Sequence, residues 1–210
     1  MQERQIADIL FNSYSKKGAI DRLPGEIDLN YRIVDEKGHH YILKVAAPAR
    51  SYEVLDLENA MMLHLAKQDL RFAVPQPIPL HDGSLIGSYT GQEGQRHYFR
   101  LLSWLDGDML ANIQPHSDSL LFDLGHSCGS LSVALQTFSH PAASRELIWD
   151  ITKLQWIESV FAYFDETEMA TVTHWYEKVC ADLLPDLSEL PHSVCYHDAN
   201  DYNVLVDIDT

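Results

Sequence analysis

The sequence predicts an α+β protein in which an antiparallel sheet comes first and a mostly helical part follows. Three observations carry that reading. Residues 19–46 alternate apolar and polar in short runs punctuated by Pro24-Gly25 and by Asp35-Glu36-Lys37-Gly38, the pattern of strands joined by tight turns. From Ser117 onward apolar residues recur at helical spacing instead. Between the two textures lies Leu105-Asp106-Gly107, where a last strand runs out into a glycine.

Taken in order, Ala7 to Tyr14 is an apolar-periodic helix ending near Lys16, Lys17 and Gly18. Ala19 to Leu23, Leu29 to Val34 and Tyr41 to Ala46 then form a three-strand meander. Tyr52 to Gln68 returns to helical spacing, with Leu55, Met62 and Leu65 on one stripe widened by Leu57 and Met61. Phe72 to Leu80 holds Pro75, Pro77 and Pro79 and reads as a stiff connection. Ser84 to Ser88 and His97 to Trp104 form a hairpin around Thr90 to Gly94, giving five strands in all. Ser117 to Phe138, Asp150 to Phe164 and Met169 to Leu184 are amphipathic helices, and the Trp, Tyr and Phe of the last two read as core.

Composition narrows the function. The formal net charge of -16, from 31 acids against 15 bases with no Lys/Arg block, excludes nucleic acid and anionic membrane as natural partners. The same field suits a cationic or amine-bearing small molecule, and equally serves plain solubility. Cys128, Cys180 and Cys195 are odd in number and widely spaced, as in reduced core residues of a cytoplasmic protein. No apolar run approaches the ~20 residues of a membrane helix, and no basic start precedes an apolar segment, so a soluble, unprocessed chain is expected. The eleven histidines lack zinc spacing, and no GxSxG elbow supports a hydrolase triad.

The most informative stretch is YHDANDYNVLV, Tyr196 to Val206. Asp198 and Asn203 stand five positions apart between apolar β-formers, which places them in a polar loop between two short strands. Phosphoryl transfer needs an Asp to accept the proton of the attacking hydroxyl and an Asn whose amide oxygen reaches a metal, and D-x-x-x-x-N is the spacing of the kinase catalytic loop. A turn with Asx hydrogen bonds would give the same pair. Lys44, inside an otherwise apolar strand, either projects to solvent or reaches the phosphates of a nucleotide. Glu58 lies beside the buried stripe of the following helix, as a solvated acid or as the lysine's carboxylate partner.

The order of Lys44, the Glu58 helix running into LRFAVPQPI, the segment LLSWLDG and the loop at Asp198 resembles the aminoglycoside phosphotransferase family, and most of all its hydroxylysine-kinase-like branch. The resemblance covers nearly the whole chain. It implies a protein-kinase-like two-lobe fold, with a nucleotide-binding lobe over residues 1–105 and a C-terminal lobe over residues 106–210. It also implies transfer from ATP or GTP, with Mg2+, to a hydroxyl of a small amine-bearing metabolite. By that resemblance Asp198 is the catalytic Asp and Asn203 a magnesium ligand. Lys44 contacts phosphates, Glu58 holds Lys44, the backbone from Ser103 to Leu105 meets the nucleotide base, and the turn at Gly25 covers the phosphates.

Two departures stand out. Tyr196 occupies the place where the family carries a His, and the chain stops at Asp207-Ile208-Asp209-Thr210, before the return strand that brings the family's second metal-binding Asp. These 210 residues are therefore expected to be inactive alone. They are also expected to leave Asn203 to Asp209 as an unpaired edge through which the chain self-associates or meets further polypeptide. The rival expectation is a non-catalytic kinase-like module that binds a nucleotide or a partner domain.

Overall fold

The computed structural model describes residues 2–91, 94–145, 147 and 149–207. Gln92 and Glu93 of the expected turn, and Asp209, lie outside the described residues. The chain divides into two compact units, one formed by 1–143 with 194–210 and one by 144–193.

The first unit opens with α1, Glu3–Tyr14. The helix begins four residues earlier than its apolar period suggests, because the Gln2 N–H donates to Gln5 Oε1 (2.8 Å) and the start is thereby capped. Strands β1 (Gly18–Leu23), β2 (Leu29–Asp35) and β3 (His40–Val45) form the expected meander. Helix α2 (Tyr52–Leu65) is N-capped by Ser51, and β4 (Pro77–Ile78), β5 (Gly87–Thr90) and β6 (Arg96–Ser103) complete the sheet.

The sheet is antiparallel throughout, in the order β1-β2-β3-β6-β4 with β5 also on β6. It has six strands, where five were expected. The extra one is Pro77–Ile78, which lies opposite Leu102 and Leu101. A proline donates no N–H, so it fits an edge strand, and only the distant partner makes this proline-rich stretch a strand at all.

Strand alternation divides the sheet into two chemically distinct faces. Tyr31, Leu43 and Leu101 lie in one cross-strand row and, with Ile33, Val45 and Phe99, pack under Ile6, Ile9, Leu10 and Tyr14 of α1. Fully burying a side chain such as Leu43 or Leu101 contributes about 1.5–3 kcal/mol, so this face holds the unit together. One residue along, Asn30, Lys44 and Arg100 form the next row, which pleating turns to the opposite face. That polar face lies under α2, where Arg100 meets Leu55, Glu58 and Asn59.

Past the sheet, the two-residue strand β7 (Asp108–Met109) pairs with β8 (Leu205–Val206). Helix α3 (Asp118–Leu135) buries Ala134 and Leu135 against Leu65 of α2 and leaves Phe122 76% exposed. Among the described residues no helix is long and apolar enough to cross a membrane.

The second unit holds 3-10 turns over Ile151–Tyr163, interrupted at Lys153, then α4 (Glu166–Lys178), a π turn and α5 (Leu184–Ser188). Its aromatic residues do not form the expected core. Tyr163 and Trp175 are 85% and 56% exposed, and no described residue of this unit is buried. Among the described residues no disulfide joins the three cysteines, and Cys195 is exposed rather than in a core.

Candidate active site

The loop from Cys195 to Asn203 is shaped by its own polar side chains. The Asn203 Nδ2 donates to Asp198 Oδ2 (2.8 Å) and to the Asp198 carbonyl (3.0 Å), while the Asn200 Nδ2 donates to Asp198 Oδ1 (2.7 Å). The Asn200 Oδ1 in turn accepts from the Tyr202 N–H (2.9 Å), and the Asn200 carbonyl accepts from the Asn203 N–H (3.0 Å). Each carboxylate oxygen of Asp198 thus has one amide donor, and the group remains exposed, open to a hydroxyl.

The loop is also tied to the chain that follows β7. The Leu110 N–H donates to the Val204 carbonyl (3.0 Å) and the Ala111 N–H to the Asp201 carbonyl (2.9 Å), around a fully enclosed Leu110. Within the segment expected as an unpaired edge, Leu205 and Val206 face Met109 and Asp108, so β8 is paired along one side, in a two-stranded sheet. Val194 and Cys195, expected as a strand before the loop, do not form one. Tyr196 holds its phenol proton more tightly than usual, chiefly through partial burial and next through the Asp198 charge.

A second polar cluster lies on the sheet. Burial first, and the Arg100 charge next, hold the Lys44 ammonium below the ordinary lysine range, with Asp28 and Glu58 acting in the opposite sense. The expected pairing of Glu58 with Lys44 is not formed. Glu58 faces the sheet, but one of its oxygens pairs with Arg50 and the other with Arg100. Arg100 stands directly opposite Lys44, and its longer planar fork reaches α2 where an ammonium on the same row does not. Arg50 also binds Asp28 (3.2 Å), and the other Asp28 oxygen accepts from the Ala47 N–H (3.1 Å).

Gly25 sits where the chain doubles back before β2. A Cβ there would fall 2.6 Å from both the Asp28 carbonyl and the Asn30 amide nitrogen, so the turn requires glycine. Asn30, the third member of the Lys44 row, donates to the Pro24 carbonyl (3.2 Å). Ser103 is already engaged: its N–H donates to the Gln76 carbonyl (2.8 Å) and its hydroxyl accepts from the Gln76 N–H (2.9 Å). Of the segment expected to meet a base, Leu105 lies beyond these bonds and beyond β6.

The structure therefore brings Asp198 and Asn203 together, and separately gathers Lys44, Glu58 and the Gly25 turn. Among the described residues no side-chain hydrogen bond or ion pair joins the two groups. Arg50 and Arg100 were not foreseen, although Arg100 within FRLL is as conspicuous a cation in an apolar strand as Lys44. Two surface depressions are present, one of about 460 Å3 lined by His40, Tyr41, Trp104 and Asp106, at the segment expected to meet a base, and one of about 320 Å3 between Ile9 and Tyr89.

The model of the phosphotransferase enzyme family matches residues 20–210. The chain is similar to hydroxylysine kinase of Danio rerio, with 25% identity over 98% of this chain and 60% of that protein. It is similar to hydroxylysine kinase of Mus musculus, with 23% identity over 92% of this chain and 55% of that one. It thus spans between half and two thirds of the length of these relatives.

Among solved structures, a microcompartment-associated aminopropanol kinase superposes with a TM-score of 0.77 at 18% identity, covering 99% of this chain and 66% of its own. An amicoumacin kinase in complex with AMP-PNP and Ca2+ superposes with a TM-score of 0.68 at 17% identity, covering 92% and 55%. At such identities the likeness is one of fold, the kinase-like α+β architecture. Since the family model takes in the sheet, the Lys44 face and the Asp198 loop alike, the chain belongs to the phosphotransferase enzyme family.

Proposed function

We propose that this protein transfers a phosphoryl group from ATP or GTP to a hydroxyl of a small, amine-bearing metabolite, with the lobe boundary after Leu105. The observation that carries the reading is the Asp198–Asn203 hydrogen bond on a loop pinned to Leu110 and Ala111. Asp198 accepts the proton of the acceptor hydroxyl and holds it in line with the γ-phosphate, with Asn200 and Asn203 fixing its carboxylate plane. Lys44 meets the phosphates, the turn at Gly25 covers them, and the backbone at Leu105, with Ser103 behind it, receives the base.

The residues present fit a divalent cation at one point. Both bonds made by the Asn203 amide run through its nitrogen, which turns its oxygen, a hard ligand suited to Mg2+, away from Asp198. Such a cation, when bound, neutralises charge between the β- and γ-phosphates. The solved amicoumacin kinase with AMP-PNP and Ca2+ supports a nucleotide and a divalent ion in general. The acidic chain supports a cationic acceptor. Three cysteines joined by no disulfide among the described residues support a reducing, cytoplasmic setting.

The test is a coupled ADP-release assay on amino alcohols, aminoglycosides and neutral sugars, with and without Mg2+. Turnover confined to amine-bearing acceptors is expected, and turnover on neutral sugars alone would refute the substrate class.

A further inference from the structure

We propose that Arg32 is a specificity-determining residue for the phosphoryl donor: its guanidinium plane stacks on the nucleotide base between the Lys44 row and the segment from Ser103 to Leu105. The proposal rests on the roles given above to Lys44 and to that segment.

Sheet register places Arg32 on the path of a nucleotide. Asn30, Lys44 and Arg100 form one cross-strand row, and two residues along, roughly 7 Å nearer to Ser103, stand Arg32, Ile42 and Leu102. Pleating keeps both rows on the same face, the one opposite α1. A nucleotide with its phosphates at Lys44 and its base at the backbone of Ser103 to Leu105 must lie against the second row. Ile42 and Leu102 make that row apolar at its centre, and Arg32 brings a cation beside them.

The guanidinium turns toward Trp104 and not toward its acidic neighbour. Asp21 stands directly opposite on β1, yet it is exposed, and among the described residues Arg32 forms no ion pair. Its Cζ instead lies 5.2 Å over the Trp104 ring, and its Nη2 donates to His40 Nδ1 (3.4 Å). His40 meets Trp104 edge-on, with ring centroids 6.2 Å apart. Arg32 Nε is enclosed and has no hydrogen-bond partner among the described residues. A half-buried cation that forgoes a carboxylate and keeps an orphaned donor lowers the stability of the unliganded fold, so stability alone does not account for it. A planar guanidinium suits a heteroaromatic base, because it stacks on the ring face while its N–H groups reach acceptors. The depression of about 460 Å3 shares His40 and Trp104 with this cluster, which puts Arg32 beside an open site and not in a closed core.

The experiment is calorimetric titration of the full-length protein with Mg-ATP, Mg-GTP and Mg-tripolyphosphate, the last carrying phosphates without a base, alongside thermal melting without ligand. Arg32→Met should weaken binding of the nucleotides about tenfold in Kd and leave tripolyphosphate unchanged. Unequal losses for the two nucleotides would equally support the proposal and name the base that Arg32 favours. Arg32→Lys should bind nucleotides no better than Arg32→Met, since it restores charge without the plane.

Arg32→Lys also supplies the comparison should the methionine variant fail to fold. A fall in melting temperature with unchanged nucleotide affinity would overturn the proposal, leaving Arg32 a structural residue only. So would an equal loss with tripolyphosphate, which would make Arg32 a phosphate ligand, and so would native affinity in Arg32→Lys. Failure of the underlying reading is distinguishable: Lys44→Met in an otherwise native chain would leave nucleotide and tripolyphosphate binding alike unchanged.

Discussion

Gly107→Ala offers a stringent test of how the Asp198 loop is held. Gly107 has φ 134°, a region reserved for glycine, and a Cβ there would stand 3.0 Å from the Val206 carbonyl oxygen and 3.3 Å from Leu205 Cβ. Backbone strain of this kind costs about 1–3 kcal/mol, before any shift of β8 is counted. The bonds that it opposes are few: the β7–β8 pairing and the Leu110–Val204 and Ala111–Asp201 hydrogen bonds, each of about 0.5–1.5 kcal/mol net. The two sides are comparable, so the substitution should open the loop locally and leave the sheet core folded.

Hydrogen exchange measures that directly. Protection of the Leu110 and Ala111 amides should fall by a factor of about 5 to 150, the equivalent of the strain, while protection of Leu43 and Leu101 in the sheet holds. Turnover should fall with it, because the Asp201 and Val204 carbonyls anchor the loop on either side of Asn203. Undiminished protection at Leu110 and Ala111, or an equal loss at Leu43, would refute the reasoning.

The core and the buried lysine give two more expectations. Leu101→Ala, at a site with no exposed surface between α1 and the meander, should cost about 2–5 kcal/mol, read as a lowered denaturant midpoint, and a change below about 1 kcal/mol would contradict the assigned core. Lys44→Met should raise the melting temperature at neutral pH. The ammonium is held below its ordinary range by burial and then by Arg100, so the folded state binds fewer protons than the unfolded one between the two pKa values. Stability of the native chain therefore rises as pH climbs through the folded pKa toward the ordinary one. The advantage of the methionine variant should be full below the folded pKa and shrink above it. A variant less stable than the native chain at neutral pH would show that Lys44 pays for itself in the folded state.

Much of this was readable from the residues, for identifiable reasons. LNYRIV and HYILKV alternate with period two, and because one sheet face is packed under α1, the alternation alone fixes which side chains point to the core. Asp198 and Asn203 are close in sequence, so their mutual bond is a local matter that spacing conveys. The partners of Glu58 are not local. They depend on the β3–β6 register, which sets Arg100 opposite Lys44, and on where the chain after β3 carries Arg50. Strands β4, β7 and β8 hold two residues each and exist only through partners 23 to 98 positions away, beyond the reach of any periodicity. The aromatic residues of 149–175 kept an apolar pattern whose covering layer no local rule supplies.

The central claim, that Asp198 takes the acceptor proton, is tested most directly by Asp198→Asn. Asn200 and Asn203 each donate to a different Asp198 oxygen, so an asparagine at this position keeps an acceptor for one of them and nearly the same shape. Steady-state ADP release and Mg-ATP titration on the full-length native and variant proteins should show kcat lowered by about 10²–10⁴ with nucleotide affinity essentially unchanged. Equal turnover in the two proteins would remove Asp198 from the chemistry and the phosphotransferase mechanism drawn around it.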